Sequence, residues 1–449
     1  MKKIVFILSL VIILVFTSMS AFAQTTDGII VAIDSVKVEF NENTGLPFVD
    51  ENSRTLVPFR KALETFGATV EWNEESRIAT AVMGDIKVEV PIDLNYIIVN
   101  GQQKANDTTA KIVNGRTYLP IRAVIESFGS DVEWDQNVKT VVITKVPVDA
   151  KAIFVEANNK SYNWKNYDMD ILMNMSMPVK DDAGSVQTMN MNMKMYMTLF
   201  MEPAMKAKIN SSYVVNAMGQ EMVQPVMDMY LKADDKSYTT YMGMKDGTGA
   251  FTWVKQTIED EMLADLFKYD EETIKANKEL VENYLNEDSI KYFGKYIDES
   301  ERTLLKLQYT MPGEIYKDIF SKYIEKMSSS TNEQDVMTVE ILKGFAGGEF
   351  GDLTSIVYVD ETTREIVKYE MNLDKIIVSM IENMSSMLGE IPADEMEMLK
   401  QMKADMVMEV LNVNQAEDFE IPVEALNAPE MTELMQSVED TKSEIAVPQ

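Results

Sequence analysis

The stretch TMNMNMKMYMTLFM, residues Thr188–Met201, places methionine at nearly every second position. Successive side chains of a β-strand point to opposite faces, so this period of two puts the methionines on one face of a strand. A helix would spread them around its circumference. Asn190, Asn192 and Lys194 occupy the positions in between. The stretch therefore predicts a strand with one methionine-rich face and one polar face.

The alternation continues in the neighbouring segments. Apolar residues recur at every second position in four further runs, residues 169–177, 205–217, 227–231 and 238–244. Short turn-forming segments separate the runs, among them 181–184, 202–203, 218–219 and 234–235. A chain that repeats strand and turn in this way forms an antiparallel meander, and we predict five or six strands with one apolar face.

The spacing of apolar residues changes after about residue 255. Helical spacing covers 257–268, 271–285, the segment from 314 to near 327, 373–388 and 393–403. Strand spacing returns at 303–311, 355–360, 365–372 and 407–413. A sheet with one apolar face needs cover, so we predict an α+β fold in which helices pack on a curved antiparallel half-barrel.

A duplication precedes this part of the chain. RTLVPFRKALETFGATVEW, residues Arg54–Trp72, aligns with RTYLPIRAVIESFGSDVEW, residues Arg116–Trp134, at an offset of 62 with 10 of 19 positions identical. The upstream segments AIDSVKVEF and IVNGQQKAN are related more weakly. Self-similarity at a fixed period indicates repeated structural units.

Both copies carry the same start, stop and turn signals. In each, a proline precedes an apolar pattern of helical spacing, an arginine and a glutamate stand four residues apart, and a glycine ends the pattern. The positions are Pro58, Arg60, Glu64 and Gly67, and then Pro120, Arg122, Glu126 and Gly129. Asn100-Gly101 and Asn114-Gly115 predict tight hairpin turns. Each copy therefore predicts the order β-β-α-β-β.

The second copy resembles a known family. Its run NGRTYLPIRAVIESFGSDVEW, residues Asn114–Trp134, is similar to the motif of the copper amine oxidase N-terminal-like domain, or stalk domain, and the resemblance covers about residues 31–145. The first copy departs from the motif, since Glu51-Asn52-Ser53 replaces the usual turn before Arg54. The resemblance implies an α+β surface module without chemistry of its own, frequent in exported proteins of Gram-positive bacteria. It does not imply copper, because the chain has no histidine.

The remainder of the chain carries a second resemblance, over about residues 160–428. The alternating Met-x-Met strands, the hairpin VYVDETTREIVKYEMNL and the closing segment VLNVNQAEDFEIPVEALNA look like the LolA/LppX-like group of exported lipoproteins and lipid carriers. This resemblance implies an open half-barrel whose concave face holds an apolar ligand. The chain departs from the group because it has no cysteine to carry a lipid anchor.

The N-terminus predicts export. Lys2 and Lys3 precede an apolar run, and Ala21-Phe22-Ala23 is an A-x-A-like cleavage site, so residues 1–23 are predicted to be a signal peptide. We predict a secreted, extracellular and cell-wall-associated protein with no transmembrane span after signal removal. The predicted divisions are a stalk domain at 24–149, a methionine-rich half-barrel domain at 150–428 and an acidic flexible tail at 429–449.

The amino-acid composition of the chain excludes several classes of function. The formal net charge is −31, and nucleic acid would be repelled by so acidic a chain. The absence of histidine and cysteine excludes the usual triads, thiol nucleophiles and most zinc sites. No carboxylate pair stands out as a glycosidase centre. We therefore predict a non-catalytic protein without a cofactor or a metal.

The methionine face is the first candidate site. It is open to three interpretations: an ordinary buried core, a cleft for a lipid or another apolar molecule, and a copper(I) site, since thioethers bind copper(I) and flexible methionines adapt to apolar ligands. A purely structural envelope protein is the alternative from another class. The candidate ligand-binding residues are Met173, Met175, Met189, Met191, Met193, Met195, Met197, Met227, Met229 and Met242.

The arginines of the duplication are the second candidate site. Arg54 and Arg116 are equivalent, as are Arg60 and Arg122. Guanidinium groups bind carboxylate and phosphate bidentately, so these residues could hold an anionic cell-wall polymer. The alternative is structural pairing with Glu64, Glu126 and nearby carbonyl groups.

Overall fold

The structure, a computed structural model, describes residues 28–180, 185–202, 204–217, 220–223, 227–234, 236–245, 248–259, 271–327, 339, 343, 352–379 and 393–431. The predicted signal peptide and the predicted turns at 181–184 and 218–219 lie outside the described residues. So do parts of the predicted helices, 260–268 and 380–388, and the predicted tail from residue 432 onward.

Residues 30–144, here called the N-terminal region, contain short strands and two short helices. In chain order these are β1 (Ile30–Ile33), β2 (Val36–Lys37), β3 (Phe48–Val49), β4 (Thr55–Pro58), α1 (Phe59–Phe66), β5 (Thr69–Asn73), β6 (Ile78–Met83), β7 (Ile86–Pro91), β8 (Tyr96–Val99), β9 (Gln102–Ala105), β10 (Lys111–Val113), β11 (Arg116–Pro120), α2 (Ile121–Ser127), β12 (Asp131–Asp135) and β13 (Thr140–Thr144).

The two copies of the duplication have the same element order and pair with each other. The first is β3-β4-α1-β5-β6 and the second is β10-β11-α2-β12-β13. Strands β4 and β11 pair antiparallel with Val57 opposite Leu119, which is its equivalent in the other copy. The pairing therefore has a local two-fold symmetry. The equivalent rings of Phe66 and Phe128 also meet, with centroids 5.9 Å apart, in one core shared by both copies.

The residues predicted to start the helices, end them and form the turns of the duplication lie at or close to those positions in the structure. Gly67 ends α1 with φ of 111°, a left-handed conformation that glycine adopts without strain, and its N–H bonds to the Leu63 carbonyl. Asn114 and Gly115 both have positive φ in the turn between β10 and β11. Pro58 is the last residue of β4 and caps α1, one position before the predicted helix start.

The rest of the described chain contains one large sheet and several helices. Its elements are α3 (Ala150–Ser161), β14 (Asn166–Lys180), β15 (Val186–Phe200), β16 (Lys206–Ala217), β17 (Gln220–Val223), β18 (Met227–Ala233), β19 (Ser237–Lys245), β20 (Phe251–Glu259), α4 (Glu271–Tyr284), a 3-10 helix (Glu287–Ser289), β21 (Ile290–Ile297), β22 (Thr303–Met311), α5 (Glu314–Met327), β23 (Leu353–Asp360), β24 (Ile366–Asn372), a helical segment at 374–379, α6 (Ala393–Leu399), β25 (Lys403–Leu411) and α7 (Val423–Leu426).

The large sheet has the strand order β20-β19-β18-β16-β15-β14-β25-β24-β23-β22-β21, with β17 paired to β16 at the side. Every pairing in it is antiparallel. The predicted meander forms one half of this sheet, and β25 joins it to the other half. The fold is α+β, as predicted, and most of its regular structure is strand.

Several predicted boundaries were wrong. The helix predicted from residue 257 is strand up to Glu259, because β20 pairs with β19 through Ser237 opposite Glu259. The helix predicted to reach residue 403 ends at Leu399, and Lys403 begins β25, which was predicted to start only at 407. Strand β21 and helix α3 were not predicted, although the Asp149 carboxylate accepts the Ala152 N–H as a recognisable helix cap.

The two faces of the large sheet are covered by different parts of the chain. Helix α3 packs on one face at strands β22–β24, where Phe154 lies against Tyr309 with ring centroids 4.7 Å apart. Further along the same face, Ile324 of α5 and Ile376 pack against a methionine-rich core. The segment with α7 covers part of the opposite face through Ala425, buried with Tyr230 and Tyr241. Among the described residues, no helix has the length and apolarity that crossing a bilayer requires.

The N-terminal region packs against the face opposite the methionines, near the β21–β23 edge. Lys306 Nζ lies 2.6 Å from Asp135 Oδ2 and Lys291 Nζ lies 3.0 Å from Glu133 Oε2. The first pair is buried, with side-chain exposures of 14% for Lys306 and 2% for Asp135. Val142 completes the contact by packing with Phe293, Leu304, Ile356 and Tyr358.

A bulge in β21 fits the turn between β1 and β2. The register of β21 against β22 shifts between Tyr292 and Lys295. Gly294 has φ of 89° there, and a Cβ at this position would lie 2.7 Å from the Ser35 Oγ. The Lys295 N–H donates to the same Ser35 Oγ at 2.7 Å. Glycine is therefore required both for the backbone conformation and for the close approach of the turn.

The face of the large sheet opposite the methionines also holds Asp405, a carboxyl group with a shifted pKa. Burial raises the pKa of Asp405 in β25 to about 6, the nearby Asp374 carboxylate adds to the rise, and a hydrogen bond from Asn372 Nδ2 at 3.0 Å and the Lys403 charge counter it. The folded protein therefore holds a proton on Asp405 at pH values where the unfolded chain has lost it.

We expect Lys306→Met to lower the free energy of unfolding by about 3–5 kcal/mol, because it leaves Asp135 buried without its cation. Urea unfolding of the variant against wild type measures the change. Lys37→Met is the control, since the Lys37–Glu39 pair is exposed and its loss should cost within about 0.5 kcal/mol. Equal effects of the two substitutions would contradict a structural role for the buried pair.

We expect Asp405→Asn to raise stability at pH 7 and to leave it nearly unchanged at pH 4. The native pKa lies above the unfolded one, so the native state binds more protons between about pH 4 and pH 6 and wild-type stability falls as pH rises through this window. Asparagine keeps the shape of the aspartate side chain and removes its negative charge. Urea midpoints measured from pH 4 to pH 7 test the sign, and a variant less stable than wild type at pH 7 would refute it.

Candidate functional site

The methionines of the alternating strands lie on one face of the large sheet, here called the methionine face. Met173 of β14 pairs directly with Met193 of β15 on one side and with Met406 of β25 on the other. Met175 pairs with Met191 in the same way. Directly paired residues of antiparallel strands share a face, so the side chains form continuous rows across the strands.

Burial along the methionine face is graded. Met197 and Met229, both candidate ligand residues, are buried in a core with Met169, Met406 and Met408. The other eight candidates are half-buried: Met173, Met175, Met189, Met191, Met193, Met195, Met227 and Met242. The candidate set therefore consists of a buried core at one end and a half-buried apolar surface at the other.

The opposite side of β15 has the opposite character. Asn190, Asn192, Lys194 and Tyr196 are exposed, and Asn192 donates a hydrogen bond to Asn174 of β14. The alternation predicted for this strand is confirmed by its burial pattern, in which exposed and half-buried residues alternate from Val186 onward. An apolar ligand on this part of the sheet would therefore meet apolar side chains only on the methionine face.

The cover of the methionine face comes from helices and from the closing strands. Ile324 of α5, together with Ile376 and Ile377 from the helical segment at 374–379, contacts the buried core. Met205 and Met311 pack against the same core from the strand ends. Met173, Met175, Met195, Met227 and Met242 are only half-buried where they adjoin it.

All four candidate arginines have partners in the structure. Arg60 donates to Glu64 Oε1 at 3.2 Å and to the Val70 carbonyl at 3.3 Å. Its equivalent Arg122 donates to Glu126 Oε1 at 3.5 Å and to the Val132 carbonyl. The predicted i,i+4 pairs are therefore confirmed, and each helix arginine also ties its helix to the following strand.

The other two arginines, Arg54 immediately before β4 and Arg116 at the start of β11, are here called the strand arginines. Both form hydrogen bonds to distant parts of the N-terminal region. Arg54 Nε donates to Asp107 Oδ2 at 2.6 Å, and Arg116 Nε donates to the Asn43 carbonyl at 3.1 Å. Each of these partners lies in a loop far away in the sequence. The predicted structural alternative was pairing with Glu64, Glu126 and nearby carbonyl groups. The carbonyl partner of Arg116 agrees with it, and Asp107, the partner of Arg54, was not predicted.

Two cavities divide the four arginines between them. A cavity of about 830 Å³ is lined by Arg54 and Arg122, and a cavity of about 750 Å³ is lined by Arg60 and Arg116. Each cavity thus combines a strand arginine of one copy with a helix arginine of the other. The sequence singled out the four residues but did not indicate this grouping, which arises from the pairing of β4 with β11.

Comparison with known proteins supports part of this description. Residues 32–143 match the Copper amine oxidase N-terminal domain family, about a quarter of the chain. A search of curated proteins finds no match. Among solved structures, a DUF1329 family protein from Desulfovibrio piger ATCC 29098 is similar at 9% identity over 59% of this chain and 92% of that chain, with a TM-score of 0.17, which is too low to assign a fold. The N-terminal region is thus similar to the Copper amine oxidase N-terminal domain.

Proposed function

We propose that the protein is an exported, non-catalytic component of the cell envelope whose large sheet forms a curved half-barrel that binds a lipid or another apolar molecule. The N-terminal region, as a stalk domain, tethers or presents this second domain. The predicted signal peptide supports export, and the lack of histidine and cysteine supports a role without catalysis. The stalk-like region itself supports attachment at the cell surface.

One observation carries the proposal. Eight methionines on one face of a continuous sheet are half-buried, while the other face of β15 is polar and exposed. An ordinary core of this size would bury such side chains fully, as it does Met406. Half-burial leaves apolar area that a ligand between sheet and helices would remove from water, at about 25 cal/mol per Å².

Methionine suits such a surface better than other apolar residues. Its side chain is unbranched and rotates about three bonds, so the same face adapts to ligands of different shape. The half-buried pairs Met173–Met193 and Met175–Met191 lie on adjacent strands and form a patch of four such side chains. A patch of this kind accepts an acyl chain or a flat apolar ring without a fixed pocket shape.

The two alternative functions, copper(I) binding and a purely structural role, require different properties of the same methionines. Copper(I) binding needs the thioether sulfurs, and the cross-strand methionine pairs place several of them close together. A purely structural protein needs only apolar volume and binds neither lipid nor metal. Replacing methionine by leucine keeps apolar volume and removes sulfur, so it separates copper(I) binding from the other two functions, which the uptake of an apolar ligand then tells apart.

We expect the mature protein to take up a pyrene-labelled sixteen-carbon fatty acid. The variant carrying M173L, M175L, M191L and M193L should keep its affinity within about threefold, because the apolar area is retained. Met191→Lys should weaken uptake about tenfold or more, since an acyl chain would have to desolvate the new charge. Pyrene fluorescence titrations give the affinities.

Asn192→Lys is the matched control for Met191→Lys. It adds the same charge one residue away on the exposed polar face, and uptake should stay at the wild-type level. No uptake by the wild-type protein would overturn the apolar-ligand function. Copper(I) binding that disappears in the four-leucine variant, without fatty-acid uptake, would establish the metal site in its place.

We expect truncation of methionine to cost stability unequally along the face. Met406→Ala removes a fully buried side chain and should lower the free energy of unfolding by about 2–5 kcal/mol. Met191→Ala at the half-buried end should cost under about 1 kcal/mol, because little packed volume is lost. Urea unfolding of both variants provides the comparison. Equal costs would show that the whole face is closed core and would favour the structural alternative.

A further inference from the structure

The two cavities of the N-terminal region are built from equivalent residues. Groove A, about 830 Å³, has Arg54 from the first copy with Arg122, Glu126 and Trp134 from the second. Groove B, about 750 Å³, is lined by the residues related by the offset of 62, namely Arg116 from the second copy with Arg60, Glu64 and Trp72 from the first. The equivalence extends to Ala105 and Asn106 at the end of β9 in groove A and to Asn43 and Thr44 in groove B.

The pairing of β4 with β11 explains why the grooves come in two. The pair is symmetric about Val57 and Leu119, so each strand begins beside the end of its partner. Arg54 immediately precedes β4 and Arg116 begins β11, while the helix that follows each strand carries Arg60 or Arg122. Each strand arginine is therefore brought to the helix of the other copy. Neither copy alone can form a groove.

In both grooves basic side chains outnumber acidic ones, although the protein as a whole is acidic. Groove A is lined by four basic and three acidic side chains, and groove B by four basic and two acidic ones. The chain as a whole has a net charge of −31. A positive cleft within a negative surface concentrates anions at the cleft and repels them elsewhere. The arginine side chains stay accessible, with about half of the Arg54, Arg60 and Arg122 side chains exposed.

An aromatic ring lines each groove beside the basic groups. Trp72 is exposed at 36%, although tryptophan is among the side chains that burial stabilises most. Its equivalent Trp134 is half-buried and donates from Nε1 to Gln136 Oε1 at 2.7 Å. An indole face offers a flat apolar surface to a sugar ring, while the amide and hydroxyl groups of Asn43, Thr44 and Asn106 can bond its hydroxyls.

We propose that grooves A and B are two equivalent binding sites for an anionic polysaccharide, one whose sugar units carry carboxylate or phosphate groups. Arg54 and Arg122 in groove A, and Arg116 and Arg60 in groove B, bind the anionic groups, and Trp134 and Trp72 pack against the sugar rings. Both volumes lie in the range of small-molecule sites, about 300–1,000 Å³. A ligand made of repeating units is the natural occupant of two sites that share these equivalent residues.

This inference deepens the tethering role of the proposed function by giving the tethered partner a chemical class. It uses only the N-terminal region and does not depend on the apolar ligand of the methionine face. A failure here would leave fatty-acid uptake intact, and a failure of fatty-acid uptake would leave the grooves untouched. The two outcomes are measured on the same protein with different probes.

Isothermal titration of the mature full chain with trigalacturonic acid tests the inference. We expect two equivalent sites per chain at low ionic strength. Maltotriose, which has the sugar rings without the charge, and triglutamate, which has the charge without the rings, should bind at least tenfold more weakly. Equal binding of triglutamate would reduce the grooves to simple anion sites and overturn the polysaccharide assignment.

Arg54→Gln and Arg116→Gln each change one groove. Each single variant should retain one site of wild-type affinity and lose the other by about tenfold or more, the cost of a charge-assisted hydrogen bond, and the double variant should lose both. Trp72→Leu should weaken groove B alone. An unchanged stoichiometry of two in both arginine variants would overturn the inference, as would the absence of binding by the wild-type protein.

Arg302→Gln is the matched control. Arg302 also pairs through Nε with an aspartate, Asp298 at 2.7 Å, yet it lies between β21 and β22, away from both grooves. Its substitution should leave trigalacturonate binding unchanged. Fatty-acid uptake measured on the Arg54→Gln, Arg116→Gln double variant should equal that of wild type, because the grooves and the methionine face lie in different parts of the fold.

Discussion

The position of β14 between β15 and β25 is the interaction on which the rest of the large sheet depends. Met173 has Met193 beside it on one strand and Met406, from near the end of the described chain, on the other. Because side chains alternate, a slip of one residue would turn the apolar rows toward the polar face. The register is therefore fixed by burial. It decides which face the helices cover and which face is left to receive the N-terminal region.

The N-terminal region is organised by a different constraint, the symmetric pairing of two copies. Val57 and Leu119 are both buried at the centre of this pairing, and Phe66 and Phe128 meet beside it. The symmetry does not extend to the outer strands, since β13 pairs parallel with β1 whereas its equivalent β6 pairs antiparallel with β7. The second copy also contacts the large sheet through Asp135. Glu133, which lines groove A, bonds to Lys291 of the same sheet. Groove A therefore adjoins the contact between the N-terminal region and the large sheet, and the corresponding residue of the first copy, Glu71, does not line groove B.

Strands and helices with an unbroken spacing of apolar residues and a turn-forming residue at the end could be predicted from the sequence. Elements shaped by contacts with distant parts of the chain could not. Strand β22 begins and ends at the predicted residues, since Pro312-Gly313 stops it and its alternation is unbroken. Strand β21 was missed because the bulge at Gly294, made for Ser35 of the N-terminal region, interrupts its period. The four arginines were recognised as equivalent, but their division into two grooves follows from the long-range pairing of β4 with β11, which no local pattern encodes.

The composition of the methionine face changes along the sheet, and this change bears on its purpose. Where helix α3 covers the same face, the buried residues are branched, among them Leu305, Leu307, Val357 and Val359. Valine suits strands and is stiff at χ1, and leucine has well-defined rotamers, so both are expected choices for a closed core. Methionine replaces them in β14, β15 and β18, where Met169, Met197 and Met229 are buried and the other methionines of the face are half-buried. The buried methionines lie where α5 and the helical segment at 374–379 pack on the sheet, and the half-buried ones lie where the contact is incomplete. An adaptable side chain at the half-buried positions is the choice expected if the remaining contact is made by a ligand of variable shape.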